Sequence, residues 1–245
     1  MRALLLPSVT LLLATACLER STIHSNAAGH NFACTQALQA GDCKAATAHC
    51  DHALEFNPDY PEALVNKGLI AWNCEGDKKR AREFFIKALR YDKESAQAHN
   101  NLGELEFQDK DYDTAEQRFR RALTVNPDYS QARYNLALTY VAMKKPEDAE
   151  KHLRQLLASD PSIADAQDML GLLRLEAGDM TEALARFDAA VTLVPDHANY
   201  RFHRGVAYAT AGRLDEAKDE FRSCLATEPD HADCRHSLDV LLKGE

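Results

Sequence analysis

Past its first seventeen residues, this 245-residue chain has no apolar run long enough to span a bilayer. Its body is therefore not expected to be embedded in a membrane. Basic charge is also scarce: 29 Lys and Arg stand against 38 Asp and Glu, a formal net charge of −9. That balance argues against nucleic-acid binding, which needs a basic face. It also argues against a polybasic grip on anionic lipid. Ten glycines are scattered along the chain, with no phosphate-cradling Gly-rich loop, no nucleophile elbow and no HExxH. The chemistry those motifs carry, and the cofactors they hold, are not expected. A single tryptophan, Trp72, makes any aromatic hot spot local.

What is present is periodic. Pro58, Pro127, Pro161, Pro195 and Pro229 are spaced by 69, 34, 34 and 34 residues. The double step contains a copy with Lys93 in place of Pro and one inserted residue near Gly76. Twelve residues before each closing position is a small residue: Ala46, Ala81, Ala115, Ala149, Ala183 and Ala217. Four residues later comes a bulky apolar one, Phe85, Phe119, Leu153, Phe187 or Phe221, with Cys50 in the first copy. An earlier small position holds Cys34, Gly68, Gly103, Ala137, Gly171 and Gly205. Antiparallel helices approach closely only where side chains are small, and the large residue then fills the gap. Gly41, Gly76, Gly178 and Gly212 mark the turns within four of the six hairpins. A period of this length implies stacked helix pairs, and such stacks are usually binding surfaces.

The stretch NNLGELEFQDKDYDTAEQRFRRALTVNPD (100–128) resembles a near-consensus tetratricopeptide repeat (TPR). The resemblance covers about 27–230 and implies an all-α, right-handed solenoid. Six helix pairs should begin near Ala27, Pro61, Ala96, Ser130, Ala164 and Ala198, and residues 231–245 should supply a capping helix.

The first residues carry a separate signal. MRALLLPSVTLLLATAC has one basic residue, an apolar stretch and then small residues, the layout of a secretory signal over 1–16. Ala14-Thr15-Ala16 runs into Cys17, which resembles a bacterial lipobox with Cys17 as the lipidated thiol. Ordinary signal cleavage after Ala16 is the alternative. Leu18, rather than Asp, follows Cys17, which favours the outer membrane in the commonest sorting rule. Residues 17–26 are read as a tether, so attachment would rest on lipid alone, with the body on the periplasmic face.

Six cysteines remain after Cys17, an even number in a chain read as exported, and they allow fifteen pairings. Repeat register brings together Cys34 with Cys50, Cys43 with Cys74, and Cys224 with Cys234. Buried free thiols at packing positions are the alternative. The spacing of Cys43, His49, Cys50 and His52 is not that of a zinc finger, and His49 and His52 are expected to face solvent, so the sequence assigns no metal site. Acid pairs such as Asp160 and Asp165 read as caps and solvated faces.

In TPR proteins the first helix of each pair lines the concave face. The register places Val65, Leu69 and Trp72 there, then Asn101, Glu104 and Phe107. Tyr134, Leu138 and Val141 follow, then Met169, Leu172 and Leu175, and finally Phe202, His203 and Val206. Asn66, Asn101 and Asn135 match the Asn position of the family's carboxylate clamp for peptide C-termini, but its basic partners are missing. Val65 and Asn100, for example, stand where Lys is wanted. An apolar, aromatic groove suits an amphipathic helix or extended apolar segment, with Trp72, Phe107 and Tyr134 at its centre. The charged stretch Lys110–Arg121 reads as a solvated convex face.

The layout resembles two families of TPR lipoprotein. One is the type IV pilus pilotins, which have about six repeats and help a secretin multimerise; NLALTYVAMKKPEDAEKHLRQLL (135–157) looks like a pilotin repeat. The other is the TPR lipoprotein of the myxobacterial gliding machinery, toward which the six extra cysteines tilt. Both imply an outer-membrane-anchored scaffold for a secretin or β-barrel partner and no small-molecule substrate. An adaptor for a peptidoglycan synthase or hydrolase is the alternative, and catalysis by the chain itself is not expected.

Overall fold

The computed structural model describes residues 25–244, and every regular element among them is helical. The first helix, α1, covers residues 25–39 of the described chain, so positions 25 and 26, read as tether, are already helical. There follow α2 (Cys43–Phe56), α3 (Pro61–Asn73), α4 (Lys78–Tyr91), α5 (Ala96–Gln108) and α6 (Tyr112–Val125). Next come α7 (Ser130–Ala142), α8 (Pro146–Ser159), α9 (Ala164–Glu176) and α10 (Met180–Leu193). The last are α11 (Ala198–Thr210), α12 (Leu214–Thr227) and α13 (Ala232–Lys243). Packing divides the chain after Tyr129 into two compact units, α1–α6 and α7–α13. Residues 1–16, read as a signal sequence, and Cys17 lie outside the described residues. No helix among the described residues is long and apolar enough to cross a membrane.

The hairpin turns are built one way throughout. The residue before the second helix donates its N–H back five residues, as from Asp42 to the Ala37 carbonyl and from Asp179 to the Arg174 carbonyl, and back six, from Asp77 to Ala71, where the extra residue is inserted. That closure needs a left-handed residue just past the first helix. Gly41, Gly76, Gly178 and Gly212 supply it with φ of 69 to 80°, and Lys110 and Lys144 adopt it at 64 and 57°. Asp42, Asp77, Asp111 and Asp179 then cap the second helices, each accepting an N–H three residues on. The inserted residue is absorbed in the turn: four residues, 74–77, separate α3 from α4, where three separate α5 from α6.

The turns between pairs explain why Lys93 can replace proline. Asn57, Asp92, Asn126 and Asp160 each accept the N–H two residues on, closing the turn with a side chain. The carbonyl at the proline position then receives a donor six residues later. His99 donates to Lys93, Gln167 to Pro161, Arg201 to Pro195 and Arg235 to Pro229. Neither bond uses the proline ring. His99 donates from Nε2, which leaves its buried Nδ1 with no partner.

The core repeats a single contact. Phe85, Phe119, Phe187 and Phe221 are fully buried, each over a glycine of its own pair. A Cβ on Gly68 would lie 2.3 Å from Phe85 Cε1, and one on Gly171 would lie 2.6 Å from Phe187 Cε1. In the fourth pair the positions hold Ala137 and Leu153, one larger and one smaller, both fully buried. In the first pair they are Cys34 and Cys50, joined by a disulfide. Cys43–Cys74 links the first pair to the second, and Cys224–Cys234 links α12 to α13. These are the three pairings expected from register. First helices bury most of their surface: α3 buries Ala63 through Gly68 plus Ile70 and Ala71. The partner α4 buries only Ala81, Phe85 and Ala88.

Two predictions follow from these contacts. Gly68→Ala should destabilise the chain by about 1–3 kcal/mol through overpacking, despite the better helix propensity of Ala. Adding Phe85→Leu should recover part of that loss, reproducing the Ala137–Leu153 pair; additive effects in a urea double-mutant cycle would refute the compensation. Burial, with help from Arg118 and Arg121, holds the His99 imidazole below its ordinary value of 6.5. The unfolded chain therefore takes up this proton first, so the His99 contribution is complete above about pH 6.5 and shrinks as pH falls below it. His99→Gln keeps a donor to the Lys93 carbonyl, as Gln167 does for Pro161, and should flatten the loss of urea stability between about pH 7.5 and 5.5.

Candidate binding surface on the first helices

In the first unit, the expected groove positions divide by depth. Leu69 and Trp72 are half-buried at the edge of the core that contains Leu64, Phe85 and Leu102. Glu104 and Phe107 are also half-buried, with Phe107 packed against Tyr112 at 5.4 Å between ring centroids. Val65 and Asn101 do not belong to a free surface. Val65 is 2% exposed and packs in the core, and Asn101 is 8% exposed and accepts from the Asn100 amide. The first helix of a pair packs on its own partner and on the next repeat, so only a narrow stripe of it stays open. Burial raises the Glu104 carboxyl above the usual range, and the Tyr129 hydroxyl is pushed up by burial and by Glu104.

The clamp asparagines are used within the protein. Asn66 donates to Asn31 Oδ1 at 2.9 Å and Thr35 Oγ1 at 3.0 Å, tying α3 to α1. Asn135 accepts from Gln131 within α7.

In the second unit all nine expected residues are half-buried: Tyr134, Leu138 and Val141, then Met169, Leu172 and Leu175, then Phe202, His203 and Val206. Several are committed to packing. Leu172 and Leu175 lie against the core around Phe187, and Val206 lies against the core around Phe221. Phe202 packs on Phe221 and His231 at 6.0 and 5.6 Å.

The sequence reading missed a polar centre on this face. His203 Nδ1 lies 2.8 and 2.9 Å from the two carboxylate oxygens of Asp168, which is only 7% exposed. Tyr200 donates its hydroxyl to Asp165, so Asp165 is not simply a cap or solvated acid. Asp160 does cap its turn, through Ser162. The Tyr134 hydroxyl is pushed up to about 12 by burial and by the fields of Asp165 and Asp168. The Tyr200 hydroxyl rises for the same reasons and because of its bond to Asp165. Half-buried Glu106, Glu150, Glu182 and Glu220 are each neutralised by arginine. Among the described residues, by contrast, Asp168 is met by the His203 imidazole and not by a guanidinium. The centre of this face is therefore acidic and aromatic rather than apolar. Carboxylates flanked by tyrosine rings suit a cationic side chain set within an otherwise apolar segment.

One group of metal-ligand types, Cys224, His231 and Cys234, has its donor atoms within 4.8 Å of one another. Its sulfurs are consumed by the disulfide. His231 accepts the Cys234 N–H at Nδ1 and donates from Nε2 to Asn199, so both ring nitrogens are engaged.

Comparison with known proteins agrees with this architecture. Tetratricopeptide repeat family models match residues 106–173, and also 75–130 and 169–232. No curated protein matches by sequence. Among solved structures, PilF of Pseudomonas aeruginosa superposes with a TM-score of 0.79 at 21% identity, covering 88% of this chain and 97% of PilF. PilW, described as a widely conserved type IV pilus biogenesis factor, gives 0.75 at 21% identity over 86% of this chain and 98% of PilW. YrrB, a TPR protein with an unusual peptide-binding site, gives 0.61 at 24% identity over 77% of this chain and 96% of YrrB. With all-helical pairs, glycine–phenylalanine contacts and matched repeat models, the chain belongs to the tetratricopeptide repeat family, as an all-α TPR solenoid with a C-terminal helix.

Proposed function

We propose that this protein is a lipid-anchored TPR scaffold on the periplasmic face of the outer membrane. In this role it binds a secretin or β-barrel component through its first-helix surface and helps an envelope machine assemble. One observation carries the reading: the similarity to PilF and PilW covers 97% and 98% of those chains. The likeness is therefore to a whole pilus-type TPR protein and not to one shared repeat. TPR proteins are typically scaffolds and adaptors, and each unit offers half-buried first-helix residues that suit a protein segment: Trp72 and Phe107 in the first, and Tyr134 with the Asp165–Asp168 centre in the second. Three disulfides fit an oxidising compartment. Lipidation at Cys17 would hold the scaffold at high local concentration beside a membrane partner. The gliding-type machine and the cell-wall adaptor are the other identities that a captured partner would reveal.

The reading has two tests. Cys17→Ser should move the protein from the outer-membrane fraction to the soluble periplasmic fraction and abolish labelling by radioactive palmitate; unchanged fractionation and labelling would refute the anchor. Cross-linked native protein should recover a secretin or β-barrel subunit from solubilised outer membrane. The Trp72→Ala/Tyr134→Ala variant should recover at least about tenfold less, since buried aromatic anchors dominate interfaces. Equal recovery by both proteins would remove the first-helix surface as the contact.

A further inference from the structure

The first helix pair carries a histidine cluster that the groove does not use. His30 projects from α1, and His49 and His52 project from α2. Three residues apart on a helix, His49 and His52 are neighbours on one side of it. The His30 ring centroid lies 5.2 Å from that of His52 and 5.8 Å from that of His49. Phe56 stacks against His30 at 5.7 Å, walling one side of the cluster. His49 is half-buried rather than solvent-facing, and its buried Nδ1 has no hydrogen-bond partner. His52 donates from Nδ1 to Glu55 Oε2 at 3.0 Å, which leaves its Nε2 lone pair available. An imidazole held by a carboxylate at one nitrogen is the usual state of a metal-bound histidine. The carboxylate fixes the tautomer and raises the basicity of the other nitrogen.

The backbone beneath these rings is locked. Cys34 lies four residues beyond His30 on α1, Cys50 directly follows His49 on α2, and the two are bonded. A covalent clamp one turn from the ligands holds the two helices at a fixed separation, so the backbone that carries the rings is set before an ion binds.

We propose that His30, His49 and His52, with Glu55 orienting His52, form a binding site for a borderline transition-metal dication: Zn²⁺, Ni²⁺ or Cu²⁺. Imidazole is the ligand these ions share. Three protein ligands also leave a coordination position open for water or for a group on a partner. Closing the rings on one ion, with nitrogen–metal distances of roughly 2.0–2.1 Å, requires the His30 and His52 side chains to rotate about their own bonds. The exposed His52 has room to do so. A search for zinc-finger spacing could not find this set, because His30 lies on a different helix from the other two. The inference is independent of the proposed envelope role.

The test uses the full chain, without an affinity tag and stripped by chelator, titrated near pH 7.5 with Zn²⁺ and Ni²⁺ alone by calorimetry. Co²⁺ is followed in parallel by visible absorption. The expected result is one ion per chain, with His30→Ala and His52→Ala each weakening binding at least about tenfold and Glu55→Gln by up to about tenfold. Circular dichroism of each variant, with intact disulfides, separates ligand loss from unfolding. Absence of saturable binding, or equal affinity in a folded His30→Ala/His52→Ala variant, would overturn the site.

Discussion

The contact between a small residue on the first helix and a large one on the second sets the geometry of every pair. Four times it is glycine against phenylalanine, at separations no added Cβ could share. A phenylalanine seated on bare backbone fixes the distance between two helices and their rotation about each other. Dispersion falls steeply with any gap, and overlap is forbidden. The fourth pair reaches the same end with Ala137 and Leu153, moving a methyl group from one side of the contact to the other. The first pair reaches it covalently, with Cys34 and Cys50. Three chemistries thus solve one spacing requirement. The inserted residue before α4 is tolerated because it lies in the turn and leaves Gly68 opposite Phe85.

The disulfides lie in the first two pairs and at the last. Terminal repeats of a linear array have one neighbour, so they lose interface energy that internal repeats keep. Cys34–Cys50 and Cys43–Cys74 hold the first pair together and to the second, and Cys224–Cys234 holds α13 over the sixth pair. Each bridge can contribute roughly 2–4 kcal/mol, comparable to the packing an end repeat lacks. The first pair has no Gly–Phe contact of its own, so its bridge replaces the interaction that defines the others. It also steadies the helices bearing His30, His49 and His52.

The surface open to partners is narrower and more polar than apolar periodicity suggests. Val65 and Asn101 share register with open positions yet are buried, Val65 in the core that contains Leu64, Phe85 and Leu102. Asn66 reaches Asn31, Tyr200 reaches Asp165 and His203 reaches Asp168, all at a separation of 35 residues. That is one repeat plus one residue, so a side chain on one first helix meets its counterpart on the neighbour slightly out of step. Asp165 and Asp168, held in such contacts by Tyr200 and His203 where Glu106, Glu150, Glu182 and Glu220 are held by arginine, mark a part of this face able to accept a cation.

The sequence by itself determined the class of fold, the starts of the first helices from α3 onward, the glycine turns and the cysteine pairs. Those depend on local spacing repeated at a fixed period, and a repeat array makes long-range contacts predictable from short-range ones. Gly68, Phe85 and Lys93 are legible because each answers a requirement stated again in every copy. Tertiary structure alone decided which groove positions are open, how Asp165, Asp168 and His203 are paired, and that His30 faces His49 and His52. Those contacts join side chains on different helices and recur irregularly. Whether a half-exposed polar group meets water, a neighbour or a ligand depends on its orientation and on the neighbouring repeat, and neither is encoded in the period.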